Sequence, residues 1–481
     1  MNESKKYALD EIEQKSNVFC SLSDKIWELA ELSLKEYKSA ELYCDLLEEL
    51  GFKVEREICG IKTAFSGSFG SGHPIIGILG EFDALSGLSQ EGGSAEYHEI
   101  ERGGNGHGCG HNLLGAGSLA AAYGIKQYLE KTGKSGTIIF FGTPGEEGGA
   151  GKAFMAKEGL WYGLDCALTW HPDDCNEVVT GTCNSCIQTL YKFKGIAAHA
   201  AGDPEDGRSA LDALELMNVG VQYLREHTKD DARIHYAVVD GGGLSPNVVQ
   251  SKASVLYMVR SKLVKDTLAL QARVDKIAEG AALMTETEVE KVFIDGCSNP
   301  LPNHTLEKLM YDNFSAISLP SYSKEEIDYA TALKSTYASH GFLPSIAAKA
   351  DPTAAEIVAE LSDHGKKPLN DFLCPLYDGD FFEPGSTDVG DVSWQTPTAQ
   401  LHTVCFASGS PGHSWQNVSC GKTSIAHKGM MTASYVIAAT AIDIIDAPTL
   451  LASAKVEFEH ASSDGFLSPI PDGAKAIAIE L

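Results

Sequence analysis

Three segments between Pro74 and Pro144 decide the fold: PIIGILGEF (74–82), LLGAGSLAAAYGIKQYLE (113–130) and TIIFFGTP (137–144). The first and third are short continuous apolar runs, the pattern of strands buried on both faces, and the middle one has helical spacing and helix-forming residues. A strand–helix–strand unit of this composition argues an α/β domain with a mostly parallel central sheet. DCALTW (165–170) adds a further strand. Toward the N-terminus, SLSDKIWELAELSLKEY (21–37) and SAELYCDLLEEL (39–50) read as helices, the second closed by Gly51.

The texture changes near residue 186. IQTLYKFKGIAAHA (187–200) alternates, SALDALELMNVGVQYLREH (209–227) is helical, and ARIHYAVVDGG (232–242) and SKASVLYMVRS (251–261) alternate again. VKDTLALQARVDKIAEGAALM (264–284) returns to helix before TEVEKVFIDG (287–296). This β-α-β-β-α-β order is that of a ferredoxin-like α+β unit with its own core. After residue 300 helices resume, with AQLHTVCFASG (399–409) as another strand. The expected organisation is a catalytic α/β domain in two parts, 1–185 and 301–481, interrupted by an α+β domain over 186–300. The stretch 314–375 and the tail after 450 give the weakest signals.

The chain has 481 residues with 38 Lys and Arg against 66 Asp and Glu, a net charge of −28. That balance argues against nucleic acid as a partner, because a phosphate backbone needs a basic face. An acidic substrate would need a local positive site. No run approaches 18 consecutive apolar residues, so no membrane span is expected, and the polar N-terminus MNESKKYALDEIEQ predicts a cytoplasmic protein. The twelve cysteines are scattered and read as reduced thiols. Cys183 and Cys186 form a lone C-x-x-C, whereas a zinc ribbon needs a second pair.

Metal-capable residues cluster just after the apolar strands: His107, Cys109 and His111 in NGHGCGHN, Glu146 and Glu147 in TPGEEGG, His171 in TWHP, and His413 in SPGHSW. In an open α/β sheet the carboxyl ends of the strands form the crevice where ligands bind. Thiolate, imidazole and carboxylate delivered to one crevice suit a two-metal hydrolytic site holding zinc or manganese. Adjacent glutamates point in different directions, so one can ligate metal while the other moves protons. Two other motifs fail. GGAGKAF would need Gly in place of Glu146 and Ser or Thr in place of Ala153 to make a phosphate loop. A Cys109 nucleophile with His107 or His111 as base would leave Glu147, His171 and His413 without a role.

Nine strings in order, GNGHGCGHN, PGEEGG, TWHP, FKGIAAHAA, GRSALDA, SPNVVQ, ALMTET, STDVGDVSW and SIAHKGM, resemble the M20 metallopeptidase family and within it the amidohydrolase branch. The resemblance covers about residues 20 to 440. It implies a di-metal exopeptidase-type catalytic domain interrupted by a lid that dimerises, with two divalent ions per subunit, Mn²⁺ or Zn²⁺. It implies Cys109, His111, Glu147, His171 and His413 as metal ligands, with Cys109 bridging, and Glu146 as general base. His199 would reach the partner subunit's site and steady the oxyanion, and Asn247 and Arg260 would hold the substrate carboxylate. Arg suits that task because its planar fork grips a carboxylate with two parallel hydrogen bonds.

Two positions depart from the wider family. Glu81 stands where a metal-binding His is usual, two residues before Asp83, which is expected to orient a ligand. Asn112 stands where Asp commonly follows the C-G-H motif. The implied activity is hydrolysis of the amide bond of an N-acyl amino acid, with p-aminobenzoyl-glutamate as the expected small-molecule substrate. A dipeptidase of other specificity, or a partner subunit of a heterodimeric hydrolase, are the alternatives. The expected assembly is a homodimer or a heterodimer with a related subunit.

Overall fold

The computed structural model describes residues 3–338 and 345–478. Its strands are β1 (Lys53–Arg56), β2 (Phe65–Ser71), β3 (Ile75–Gly80), β4 (Gly136–Gly142), β5 (Cys166–Asp173), β6 (Glu177–Val179), β7 (Thr182–Cys183), β8 (Ser185–Lys194), β9 (Arg233–Asp240), β10 (Lys252–Ser261), β11 (Glu288–Cys297), β12 (Phe382–Glu383) and β13 (Thr398–Val404). Seven of them form one sheet in the order β1-β2-β4-β3-β5-β13-β6. The pairings of β3 with β4 and β5, and of β5 with β13, are parallel. Only β2 and β6 run against the rest, so the sheet is mostly parallel. The continuous apolar runs at β3, β4 and β5 fit this arrangement, because helices cover both faces.

Helices His111–Thr132 and Ser424–Asp446 pack against each other and against this sheet. Their small residues allow the close approach: a Cβ on Gly117 would stand 2.8 Å from Trp170 and 3.0 Å from Met430. Ser424–Asp446 is long and apolar enough to cross a membrane by length and composition, but 83% of its most apolar window is buried inside this fold. It is a core helix.

Strands β8–β11 make a second sheet in the order β11-β8-β10-β9, all antiparallel. Helices Ala210–Leu224 and Val264–Met284 cover one face, with Tyr191, Val255, Tyr257, Met217 and Val274 among the residues of a separate core. The chain leaves the large sheet after β6 and returns to it at β13, so the smaller unit is inserted between strands of the larger.

The structure departs from the sequence reading at the helix expected over 21–37. The helix Ser16–Leu29 stops at Ala30, whose φ of 42° is left-handed, and a new helix runs Tyr37–Glu49. The intervening loop reaches the strand ends: Ser33 Oγ donates to Asp83 Oδ2 at 2.7 Å, and buried Glu36 accepts from the Gly145 N–H at 2.9 Å. The break therefore buttresses the glycine turn that carries Glu146 and Glu147.

His427 on the long C-terminal core helix meets Asp24 of the second helix, Nε2 to Oδ1, at 3.0 Å. Burial alone would lower the imidazole pKa, but the hydrogen bonds and charges of Asp24 and Cys20 together outweigh it and the pKa rises to about 9. A folded-state pKa above the unfolded value of about 6.5 contributes stability that is complete below that value. The contribution is lost as pH climbs through about 9. Urea unfolding of the wild type and His427→Gln should therefore differ most at pH 6 and converge by about pH 10. A difference that stays constant across that range would remove the charged pair as its cause.

Candidate metal centre

The carboxyl ends of β3, β4 and β5, with the loop after β13, deliver their side chains to one cavity of about 440 Å³ between the large sheet and the inserted unit. Cys109 and His111 stand at the start of the helix His111–Thr132, set by Gly110, whose φ of 86° is left-handed. A Cβ at Gly110 would lie 2.9 Å from Phe406 and 3.0 Å from Pro172, so glycine is needed for conformation and for space. Glu146 and Glu147 follow β4, His171 lies two residues before the end of β5, and His413 occupies the loop beyond β13. His413 has a φ of 51°, costly for a residue with a Cβ and of a kind that concentrates at functional sites.

These side chains divide into groups that meet at Cys109. Cys109, His111 and His171 place one ligating atom each within 4.8 Å of one another, and so do Cys109, Glu147 and His413. Cys109 Sγ is 3.3 Å from His171 Nε2, and His413 Nε2 is 3.4 Å from Glu147 Oε1. Donors about 2.1 Å from one tetrahedral ion stand about 3.4 Å apart, so these spacings suit a shared metal. Buried His111 Nε2 and Glu147 Oε1 make no hydrogen bond among the described residues, although Glu81 Oε2 stands 3.2 Å from the first and His413 Nε2 3.4 Å from the second. Buried polar atoms are rarely left so. Both are ligating atoms, and the donor set of one thiolate, three imidazoles and a carboxylate fits divalent ions of the zinc and manganese type.

The surroundings fix the tautomers. Asp83 Oδ1 accepts from His111 Nδ1 at 2.9 Å, and the Pro172 carbonyl accepts from His171 Nδ1 at 2.7 Å. Both rings are thus left with Nε2 directed at the cluster, as ligands oriented from behind are. Burial would raise the Asp83 carboxyl, but His111, the Glu147 N–H and Ser33 hold it down at about 2. Burial pushes His171 down to about 4, keeping the ring neutral and able to ligate.

Glu146 also lines the cavity, grouped with Glu81 and His111. Burial, then the carboxylates of Glu81, Glu147 and Asp388, push its pKa well above the usual carboxylate range. A carboxyl tuned upward in this way suits proton transfer near neutral pH.

Glu81 sits in an ion pair the sequence reading did not contain. Lys152, wholly buried, lies 2.7 Å from Glu81 Oε1 and 2.5 Å from Asp388 Oδ1. The same lysine belongs to the string that superficially resembled a phosphate loop. The Lys152 backbone N–H also donates to Asp388, at 2.9 Å. Glu81 Oε2 is 3.2 Å from His111 Nε2. Asn112 is turned away from the cluster and ties Ser23 Oγ at 2.9 Å to the Gly421 carbonyl at 3.1 Å. His107 is buried elsewhere, its Nε2 donating to the Ile26 carbonyl at 3.1 Å.

The inserted unit supplies Arg260, Met258, Gln188, Asp295, Cys186 and Cys297 to the cavity wall. Arg260 Nη1 donates to Ser386 Oγ at 2.7 Å, and its Nε has no partner among the described residues. Cys186 does not pair with Cys183: its Sγ faces Cys297 Sγ on the neighbouring strand at 3.3 Å, and all twelve cysteines are free thiols. His199 and Asn247 do not line this cavity. They are exposed neighbours at the far end of the inserted unit, where the Ala200 N–H donates to the Asn247 carbonyl at 3.0 Å. Within one chain, neither residue stands in the wall of the cavity that holds Cys109.

His413→Ala should lower the amount of metal bound per chain, because Glu147 and Cys109 lose their only imidazole partner in that group. Metal analysis after dialysis checks this, and unchanged stoichiometry would take His413 out of the ligand set.

The model of peptidase family M20/M25/M40 matches residues 77–463 of this chain. A p-aminobenzoyl-glutamate hydrolase subunit of Escherichia coli (strain K12) is 44% identical over 475 residues, covering 98% of each chain. The Xaa-Arg dipeptidase of Mus musculus is 24% identical, covering 95% of this chain and 92% of its own. Among solved structures, a dinuclear metal-binding M20 peptidase from Bacillus subtilis aligns over 90% of this chain and 99% of its own, with TM-score 0.54 at 16% identity. That likeness establishes the fold.

Proposed function

The chain belongs to peptidase family M20/M25/M40 and is a metallo-amidohydrolase, and from that premise we propose that it cleaves p-aminobenzoyl-glutamate to p-aminobenzoate and glutamate. The observation that carries the substrate is the 44% identity, over 98% of both chains, to a relative named for that hydrolysis. The cavity supports it: a chain with a net charge of −28 places the guanidinium of Arg260 in the wall, where an acidic amino acid needs a cation.

Cys109, His111, His171, Glu147 and His413 would hold two divalent ions, Mn²⁺ or Zn²⁺, with Cys109 common to both groups. Bound there, such ions supply Lewis-acid polarisation of the scissile carbonyl and a water of lowered pKa. Glu146 lines the same cavity and would take the proton of the attacking water and return it to the departing amine of glutamate. Asp83 and the Pro172 carbonyl keep His111 and His171 in the ligating tautomer. Arg260, in the cavity wall, anchors the substrate carboxylate through its guanidinium. His199 and Asn247, exposed here, complete the site from a second chain, either another copy or a related polypeptide. The Escherichia coli relative, itself one component of a multi-chain hydrolase by name, supports that reading.

The test is release of p-aminobenzoate from p-aminobenzoyl-glutamate by the purified chain alone, metal-stripped and then given Mn²⁺ or Zn²⁺. Turnover restored by metal supports a self-sufficient amidase. Absence of turnover with either metal in a folded, metal-loaded protein would overturn the reading for the chain acting alone.

A further inference from the structure

A second cavity, of about 220 Å³, opens beside the metal centre. Its walls include Val179 of β6, Pro300 and Leu301 of the return from the inserted unit, Val389, and Ala399 of β13. Ser386, Thr387 and Gln400 line both this cavity and the catalytic one, so the two communicate through that rim. Arg260 binds Ser386 on the rim from the catalytic side.

The two cavities differ in chemistry. The catalytic one carries Cys109, Glu146, Glu147, Asp388, Asp295 and Arg260, and an aromatic ring placed there would face desolvated polar groups. The surface of the side cavity is mostly apolar, although Glu307, Glu383, His402 and several hydroxyl side chains also line it. An apolar cavity of about 150 Å³ holds a benzene ring, so this one has room for a substituted ring. Its buried carboxylate is Glu307, which does not line the catalytic cavity. Glu307 accepts from the Asn303 N–H at 3.1 Å and meets His304 Nδ1 at 2.9 Å. A carboxylate has about four acceptor sites, which leaves capacity for a donor on the ring.

We propose that this side cavity is the acyl subsite and seats an aromatic ring bearing a hydrogen-bond donor, while Arg260 across the rim takes the amino-acid carboxylate. The inference rests on the amidase reading for the orientation of the substrate, but the ring subsite is testable apart from turnover. Ser386, Thr387 and Gln400 then border the scissile amide, and Leu301 sets how thick a ring the cavity admits.

The experiment is calorimetric titration of the full-length, metal-loaded protein with p-aminobenzoate, benzoate and 4-amino-1-naphthoate. Wild type should bind p-aminobenzoate several-fold more tightly than benzoate. Leu301→Trp, which fills the slot, should weaken p-aminobenzoate at least tenfold while leaving glutamate binding unchanged. Leu301→Ala, the milder variant, should gain affinity for the naphthoate and serves if the tryptophan variant does not fold. Absence of p-aminobenzoate binding to wild type, or equal ring affinities across the folded variants, overturns the subsite. Turnover of p-aminobenzoyl-glutamate with an unchanged KM in Leu301→Trp also overturns it, with the amidase reading intact. No turnover in wild type, with ring binding still lost in Leu301→Trp, overturns cleavage of p-aminobenzoyl-glutamate by the chain alone and sustains the ring subsite.

Discussion

Glu146→Gln should lower kcat by about 10³-fold, within the 10²–10⁴ that general acid–base catalysts contribute, and leave fold and metal content unchanged. The substitution preserves shape and removes the group that can accept and return a proton. It costs little stability, because burial and the carboxylates of Glu81, Glu147 and Asp388 disfavour the charge that the substitution removes. Glu147, the adjacent residue, groups with Cys109 and His413, whereas Glu146 groups with Glu81 and His111, so ligation at the Cys109–Glu147–His413 group does not pass through Glu146. Steady-state rates on p-aminobenzoyl-glutamate, paired with metal analysis of the same preparation, separate the two roles. Loss of metal together with rate would reassign Glu146 as a ligand, and a rate near wild type would leave the proton transfer without a carrier in this chain.

Lys152→Met should destabilise the chain by about 3–5 kcal/mol, the cost of removing one partner from a buried ion pair. Lys152 is buried to 0% exposure between Glu81 and Asp388, themselves 2% exposed. Burial would lower the pKa of the ammonium, but Asp388 first and then Glu81 hold it above its ordinary value, so it stays charged. Methionine fills the volume and strands two carboxylates without a cation. The loss reaches the site, because Asp388 lines the catalytic cavity and Glu81 abuts His111. Urea unfolding should show the midpoint falling, and the apo and metal-loaded proteins should both show it. An unchanged midpoint would mean that solvent or rearrangement satisfies the carboxylates and that the triad is not a structural element.

Much of the architecture was legible because it is written in local patterns. A strand buried on both faces must be apolar throughout, so β3, β4 and β5 stand out as PIIGIL, TIIFF and CALTW. A half-buried sheet must alternate, so β8 to β11 were separable from them, with helices at the expected places between. The cluster was legible for the same reason: Cys109, His111, Glu146, Glu147 and His171 each sit at the end of a strand or the start of a helix, and in an α/β sheet those ends converge. The helix expected over 21–37 failed because helical spacing continues through Ala30, and nothing local announces that the loop must turn to bring Ser33 and Glu36 under the glycine turn.

By itself, then, the sequence determined the fold class, the inserted unit, the family and the residues that could ligate metal, since each rests on periodicity or on short motifs. Only the tertiary structure decided which of them meet. Lys152, Glu81 and Asp388 are separated by 71 residues or more, and no pattern within a segment reports an ion pair that chain closure creates. The side cavity is likewise assembled from four distant stretches, and its volume depends on what packing leaves unfilled. Position in space also separated Arg260, which lines the cavity, from His199 and Asn247, which stand exposed at the other end of the inserted unit. A motif can name a side chain's chemistry, but the distance over which that chemistry acts is a property of the packed chain.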